Sequence, residues 1–301
     1  MKGDHPADPV SSVVRPPSSV ARFWLCADDY GIAPGVNTAI RDLIMHRRLN
    51  ATSVMVVAPS FTRAEARSLA ILNSGTPRAA IGLHLTLTAP FRPLTQGFRP
   101  RRDNGFPLLR DLFRAGLLRQ LERQVLAAEI DAQLAAFAAA FGRPPDFIDG
   151  HQHAHLAPQV RDEVLAAAKR HAPDAWVRQC GSVQPALKRL GDPKGLMLDW
   201  FSRALRTRAE ALDVPTNPAF AGTYSFRPDA DFAKKFPSFL DRLPEGGLVM
   251  CHPGHVDDDL IRLDPLTDLR EREYAYLAGE AFPAVLAARG RALARPNLAD
   301  G

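Results

Sequence analysis

The stretch Phe147-Ile148-Asp149-Gly150-His151-Gln152-His153-Ala154-His155 sets three histidines two residues apart, directly behind a short apolar run. Imidazole is neutral or nearly so at pH 7 and is the commonest side-chain metal ligand. In an extended segment side chains two apart share a face. A strand end reading His-x-His-x-His therefore presents several imidazoles to one side, which is a poor core and a good metal site. Asp28-Asp29 and His252 each close an apolar run of their own, and His84 lies within one. Two carboxylates beside one divalent cation divide the work. One binds the ion, and the other stays free to take a proton from water that the ion acidifies. One aspartate with two histidines leaves coordination positions open, the pattern of a catalytic rather than a closed structural site.

The elements that must position these residues alternate along the chain. Residues 22–27 read as a buried strand ending at Asp28-Asp29-Tyr30-Gly31, and residues 51–57 as a second strand. Residues 79–88 read as a third, with Gly82, His84, Thr86 and Thr88 on one face and Leu83, Leu85 and Leu87 on the other. A long loop at 90–107 carries Arg92, Arg99, Arg101 and Arg102. Residues 118–141 then read as one helix. Leu121, Val125, Ala128, Ala132, Ala135 and Ala139 form its buried stripe, and Gly142-Arg143-Pro144-Pro145 stops it. Residues 146–150 form the strand that carries the histidines, 175–180 a further strand, and 194–212 a helix. Residues 247–251 form the last clear strand, running into His252-Pro253-Gly254-His255, and a final helix starts near Asp268. Strands alternating with helices predict a parallel sheet or barrel. Asp28-Asp29, His84, His151 and His252 all fall at or just beyond the C-terminal ends of strands, the rim where such folds build their sites.

The chain of 301 residues, 46% apolar and 24% charged, has the composition of a soluble globular protein. Residues 22–290 show no linker and no internal repeat and are read as one domain. Residues 1–21, rich in Pro, Ser and Val, read as a disordered leader without the apolar core of an export signal; residues 291–301 read as a polar tail. The formal charge of +5 is spread along the chain. No basic stripe interleaved with aromatics points to nucleic acid. No apolar run approaches the roughly 20 residues of a membrane helix, so stable membrane insertion is not expected. Cys26, Cys180 and Cys251 are odd in number and far apart, as in a reduced, cytoplasmic protein.

Ala27-Asp28-Asp29-Tyr30-Gly31, Gly82-Leu83-His84-Leu85-Thr86-Leu87, Asp149-Gly150-His151-Gln152-His153-Ala154-His155 and Cys251-His252-Pro253-Gly254 occur in that order across residues 22–277. Together they resemble the YdjC family of carbohydrate deacetylases, also called the ChbG/HpnK family; Tyr30 stands where Phe is common. The resemblance implies a single-domain α/β fold, a distorted TIM-like (β/α) barrel. It also implies metal-dependent removal of acetyl groups from N-acetylated sugars, such as chitooligosaccharides or a glucosamine-bearing hopanoid lipid. Carried over motif by motif, it makes Asp29, His84 and His151 the metal ligands, Asp28 the general base, and His252 the general acid that protonates the leaving amine. Analogy with related polysaccharide deacetylases gives Arg178 the task of holding Asp28 ionised and oriented. The implied cofactor is one divalent ion, Mg²⁺ by family usage, while the donor set also suits Zn²⁺, Co²⁺ or Mn²⁺. His153, His155 and Asp149 stand as supporting or substrate-contacting groups.

Blander readings compete at each position. Taken alone, the histidine trio is a polar loop, Asp28-Asp29 a helix N-cap and His84 a satisfied barrel histidine. His255 and Asp257-Asp258-Asp259 read as a solvated loop, and the three cysteines as small buried apolar residues. The arginines after the third strand form either an exposed loop or a lid over a sugar. Trp200, Phe201 and Leu205, at helical spacing, read as packing or as the face of a homodimer rather than as a sugar platform. Residues 181–228 match little in the family. The competing activities are metal-assisted hydrolysis of an ester or phosphoester, or sugar binding without turnover.

Overall fold

The computed structural model describes residues 20–99, 103–184 and 193–296. The expected leader up to residue 19, the end of the expected tail, and Arg101 and Arg102 lie outside the described residues. The chain runs β1 (Ala21–Tyr30), α1 (Pro34–Met45), β2 (Ala51–Val54), α2 (Arg63–Ile71), β3 (Ala80–Leu85), α3 (Leu109–Leu117), α4 (Arg123–Phe141) and β4 (Phe147–Gly150). A 3₁₀ stretch, His151–Leu156, leads to α5 (Val160–His171), β5 (Trp176–Val177), α6 (Pro193–Ala211), β6 (Phe220–Ala221), α7 (Phe232–Phe239) and β7 (Leu248–Cys251). The chain closes with α8 (Asp258–Leu263), α9 (Asp268–Ala278), α10 (Ala281–Ala288) and β8 (Arg291–Leu293).

All strand pairs are parallel, in the order β5-β4-β3-β2-β1-β7-β6. In a flat sheet β1 and β5 would lie about 19 Å apart, four strand spacings. Yet Arg178, one residue past β5, reaches Asp28 at the end of β1 with two bonds of 2.7 Å. The sheet is therefore strongly curled. Its outer strands meet through two isolated bridges, Val177 with Thr216 and Ser182 with Phe220. The observed architecture is thus a curled seven-strand parallel half-barrel rather than a fully closed eight-strand barrel. β5 and β6 have only two residues each, too few to zip a continuous closing ladder. β8 pairs with the start of β1, Ala21 to Phe23. The first residues of the stretch expected to be a polar tail therefore belong to the sheet.

Strand alternation stacks the interior in layers. Phe147 and Trp176 stack with ring centroids 4.4 Å apart, and Trp24 lies 6.4 Å from Trp176. Gly82 makes room for them: a Cβ there would sit 2.4 Å from the Phe147 ring. Further along the same faces come Asp28, His84, Asp149 and Arg178. An aromatic floor thus supports a polar layer at the C-terminal rim.

Of the helix expected over 118–141, residues 123–141 form α4, while residues 118–122 are a turn after the separate helix α3, in which Arg119 has a φ of +55°. The expected buried stripe is also displaced. Leu126, Glu129, Ile130, Gln133, Leu134 and Phe137 face inward, while Ala128, Ala135 and Ala139 are exposed. An alanine-rich helix has little contrast between faces, and two polar residues occupy the buried one. Glu129 accepts bonds from the main-chain N–H groups of Leu94 and Thr95 and from the Thr95 hydroxyl. Gln133 pairs with both main-chain groups of Thr86. α4 therefore anchors the loop that follows β3. By length and composition α4 is apolar enough to cross a membrane; here it packs against β3, α2 and α5.

Candidate functional site

Consecutive strand residues point to opposite faces, so Asp28 and Asp29 need a break to share one mouth. β1 supplies it. Asp29 has a φ of +70°, and the register with β2 shifts between Ala27 and Tyr30. Aspartate tolerates this left-handed conformation better than most residues. Both carboxylates are buried, with different partners. Asp28 is gripped by the Arg178 fork and accepts a 3.2 Å bond from Ser53 Oγ. Asp29 Oδ1 faces His151 Nδ1 at 2.9 Å and His84 Nε2 at 3.2 Å, while its Oδ2 accepts from Arg270 at 2.6 Å. Burial works against both ionised forms. Arg178 and then His84 outweigh it at Asp28, and Arg270 and His151 outweigh it at Asp29, so both carboxyls sit below the usual carboxylate range.

His84 and Asp149 face each other across β3 and β4, with His84 Nδ1 2.6 Å from Asp149 Oδ1. The same nitrogen lies 3.0 Å from Ser53 Oγ. Asp149 Oδ2 forms an ion pair with Arg178 at 2.5 Å. Burial lowers the His84 pKa, but Asp149 and Asp28 dominate and raise it to about 10. A carboxylate on one imidazole nitrogen is the usual way to aim the other at a metal. With the proton on Nδ1, a neutral His84 would point its Nε2 lone pair at the Asp29 oxygen. Only a proton or a cation between them relieves that contact.

This geometry tests whether the donors fit a divalent ion. One atom each from Asp29, His84 and His151 lie within 4.8 Å of one another, all buried. With His84 neutral, as metal ligation requires, counting Asp28, Asp29, Asp149 and Asp264 as ionised against Arg178 and Arg270 leaves two negative charges unbalanced. The donor set and the charge both fit a dication. A second group of comparable geometry, Cys26, Asp28 and Asp149, already holds the Arg178 guanidinium, which touches all three. It is an arginine site.

His252 follows β7 in register beside Asp28, since Cys251 pairs with Ala27. Its main-chain N–H donates to Glu273 at 2.5 Å, and its buried Nδ1 has no hydrogen-bond partner among the described residues. The histidine trio does not share a face as the extended reading expects. β4 ends at Gly150, and the 3₁₀ stretch that follows places Gln152 and His153 at φ values of +54° and +60°. The three imidazoles diverge. Only His151 meets Asp29. His153 Nδ1 lies 3.5 Å from Cys180 Sγ, and His155 Nε2 bonds the Arg178 carbonyl at 2.9 Å. Burial pushes His153 down to about 3 and holds His155 well below its ordinary value. His155 thus steadies the main chain of Arg178. All three cysteines are free and buried, with burial raising each thiol. Asp257 caps α8 and accepts from Gly35 N–H, in keeping with a structural loop.

The structure adds residues that sequence reasoning missed. Ser53 sits at a strand end on the same rim, so the rim rule that found His84 extends to it. Arg270 bonds both Asp29 and Asp264 through one nitrogen and lies in α9, whose charged sequence reads as a solvated helix. Phe91 of the loop after β3 packs edge-on against His151, centroids 5.6 Å apart. The loop thus brings a phenyl ring to the site, while Arg92 and Arg99 stay exposed.

The model of a family described as YdjC-like protein matches residues 22–288. The chain belongs to the YdjC-like family. Among YdjC-like relatives, the chitooligosaccharide deacetylase of Yersinia pestis (strain Pestoides F) is 28% identical over 239 residues, 78% of this chain and 82% of that protein. Its counterpart in Yersinia pestis bv. Antiqua (strain Angola) is 27% identical over the same length. A crystal structure from Enterococcus faecalis V583, of a candidate cellobiose-phosphate cleavage protein, superposes with a TM-score of 0.67 at 24% identity. It covers 92% of this chain and 98% of that one, and shows a shared fold.

Proposed function

We propose that this YdjC-like chain is a divalent-metal-dependent carbohydrate N-deacetylase, with its site at the C-terminal rim of the curled half-barrel. It hydrolyses the acetamide of an N-acetylated sugar to acetate and a free amine. The observation that carries the reading is the division between neighbouring aspartates: Asp29 faces two imidazoles, and Asp28 is held by an arginine fork. When bound to Asp29, His84 and His151, a divalent ion supplies Lewis acidity to the amide carbonyl and brings the pKa of water down toward about 7.

The remaining work belongs to the chain's own side chains. Arg178 keeps Asp28 ionised at working pH, so Asp28 accepts the proton of the attacking water. Asp149 ties His84 to Arg178, so ligand and base are aligned through one buried carboxylate. His252, on the neighbouring strand, delivers a proton to the leaving nitrogen. Glu273 sets its position through the main chain. The names of the Yersinia relatives support chitooligosaccharides as the substrate class.

The test is acetate release from diacetylchitobiose by the wild type and by Asp28→Asn, with metal content measured on both. Asp28→Asn is expected to keep its metal and lose about 10²- to 10⁴-fold in rate, the usual contribution of a general base. Full activity in a metal-loaded Asp28→Asn protein overturns the assignment of the base.

A further inference from the structure

The β6–α7 loop passes directly over His252. It leaves β6 through Gly222, whose φ is +102° and where a Cβ would lie 2.2 Å from the Met250 carbonyl oxygen. Only glycine lets the chain cross β7 this closely. The loop is then fixed from α9. Tyr224 Oη donates to Glu273 at 2.5 Å, the carboxylate that also accepts from His252 N–H. Arg272 donates to the carbonyls of Pro228 and Ala230 at 2.6 and 3.2 Å. Between these anchors sits Phe226, with its ring perpendicular to His252 at 5.5 Å and packed on Tyr224 at 4.5 Å. Phe226 nevertheless remains 41% exposed. An aromatic ring held this firmly, beside a proposed proton donor and open to solvent, is underused by the fold itself.

We infer that Phe226 is the stacking platform for a pyranose ring of the substrate, at the His252 side of the mouth. The apolar face of a pyranose carries C–H groups of slight positive charge, which complement the electron-rich face of a phenyl ring. Phe91, which packs edge-on against His151, is buried and offers no open face. Trp200 is exposed on α6, with its ring against Phe201 rather than against a site residue. The inference rests on the deacetylase reading for the identity of the sugar, and on geometry alone for the place of the ring.

Calorimetric titration of the metal-loaded wild type, Phe226→Ala and Phe226→Trp with diacetylchitobiose tests it, alongside acetate release from the wild type and thermal unfolding of all three. Phe226→Ala is expected to bind at least about tenfold more weakly, ~1.4 kcal/mol, while Phe226→Trp stays near the wild type and all three unfold at similar temperatures. Wild-type binding without acetate release sinks the deacetylase reading and leaves the platform standing. Acetate release with a Phe226→Ala Kd unchanged within about twofold overturns the platform alone, as does an equal loss in Phe226→Trp. A wild type that binds no acetylated sugar overturns both.

Discussion

Asp28 and Asp29 differ in one backbone angle and in everything that follows from it. The left-handed φ at Asp29 aims its carboxylate at two imidazoles and leaves Asp28 to Arg178. Asp149 then joins the two halves, one oxygen toward His84 and the other toward Arg178. Replacing it with asparagine leaves Arg178 with Asp28 as its one remaining carboxylate partner among the described residues and leaves the His84 imidazole unaimed. Asp149→Asn should destabilise the fold by about 3 kcal/mol or more and weaken metal binding by roughly 10- to 100-fold. Thermal unfolding and metal titration check both; an unchanged metal affinity contradicts the bridging role. His84 gives a pH signature in chelated protein. Its folded pKa is raised to about 10, so the stability from its protonated form is complete below the unfolded value of about 6.5 and fades as pH rises toward 10. The melting temperature of chelated wild type should fall across that window, and His84→Gln should flatten the slope. An identical slope in the variant contradicts this account. At this scale the sequence was readable where a residue type announces chemistry, as at Asp28, His84 and His151. It was silent at Arg270 and Glu273, which act from a helix whose charges look solvent-facing.

Two elements set the limits of the site. The turn at His151–Leu156 scatters three histidines that an extended strand would have aligned, and the cause lies in two positive φ values that no alternation pattern encodes. α4 shows the converse case, a helix whose existence was legible and whose buried face was not. Glu129 and Gln133 look like surface residues, yet they pin the loop that carries Phe91 to His151. Glu129→Ala removes the acceptor for three donors of Leu94 and Thr95. It should cost about 3 kcal/mol in stability and expose the 90–107 loop to protease. Metal affinity should hold, because no ligand touches Glu129. Protease resistance equal to that of the wild type would show that the loop is held by other contacts. Strands β1, β3, β4 and β7 were visible as apolar runs ending in polar residues. β5 and β6 were overextended or missed, because two-residue strands carry no periodicity.

For the molecule as a whole, the curl of the sheet is what makes chemistry possible. It brings β1 and β5, distant in strand order, close enough for Arg178 to grip Asp28 above a floor of Trp24, Phe147 and Trp176. The buried rim brings together three donors, from Asp29, His84 and His151, that could hold a metal ion. These features support one proposed reaction, metal-dependent removal of an acetyl group from a sugar. The most direct test measures acetate released from N-acetylglucosamine oligomers by the protein as purified, after chelation, and after add-back of Mg²⁺, Zn²⁺, Co²⁺ or Mn²⁺ in turn. Chelation should abolish release, and at least one ion should restore it, with free amine appearing in equal amount. Equal acetate release from chelated and metal-loaded protein, or none with any ion, would contradict the account.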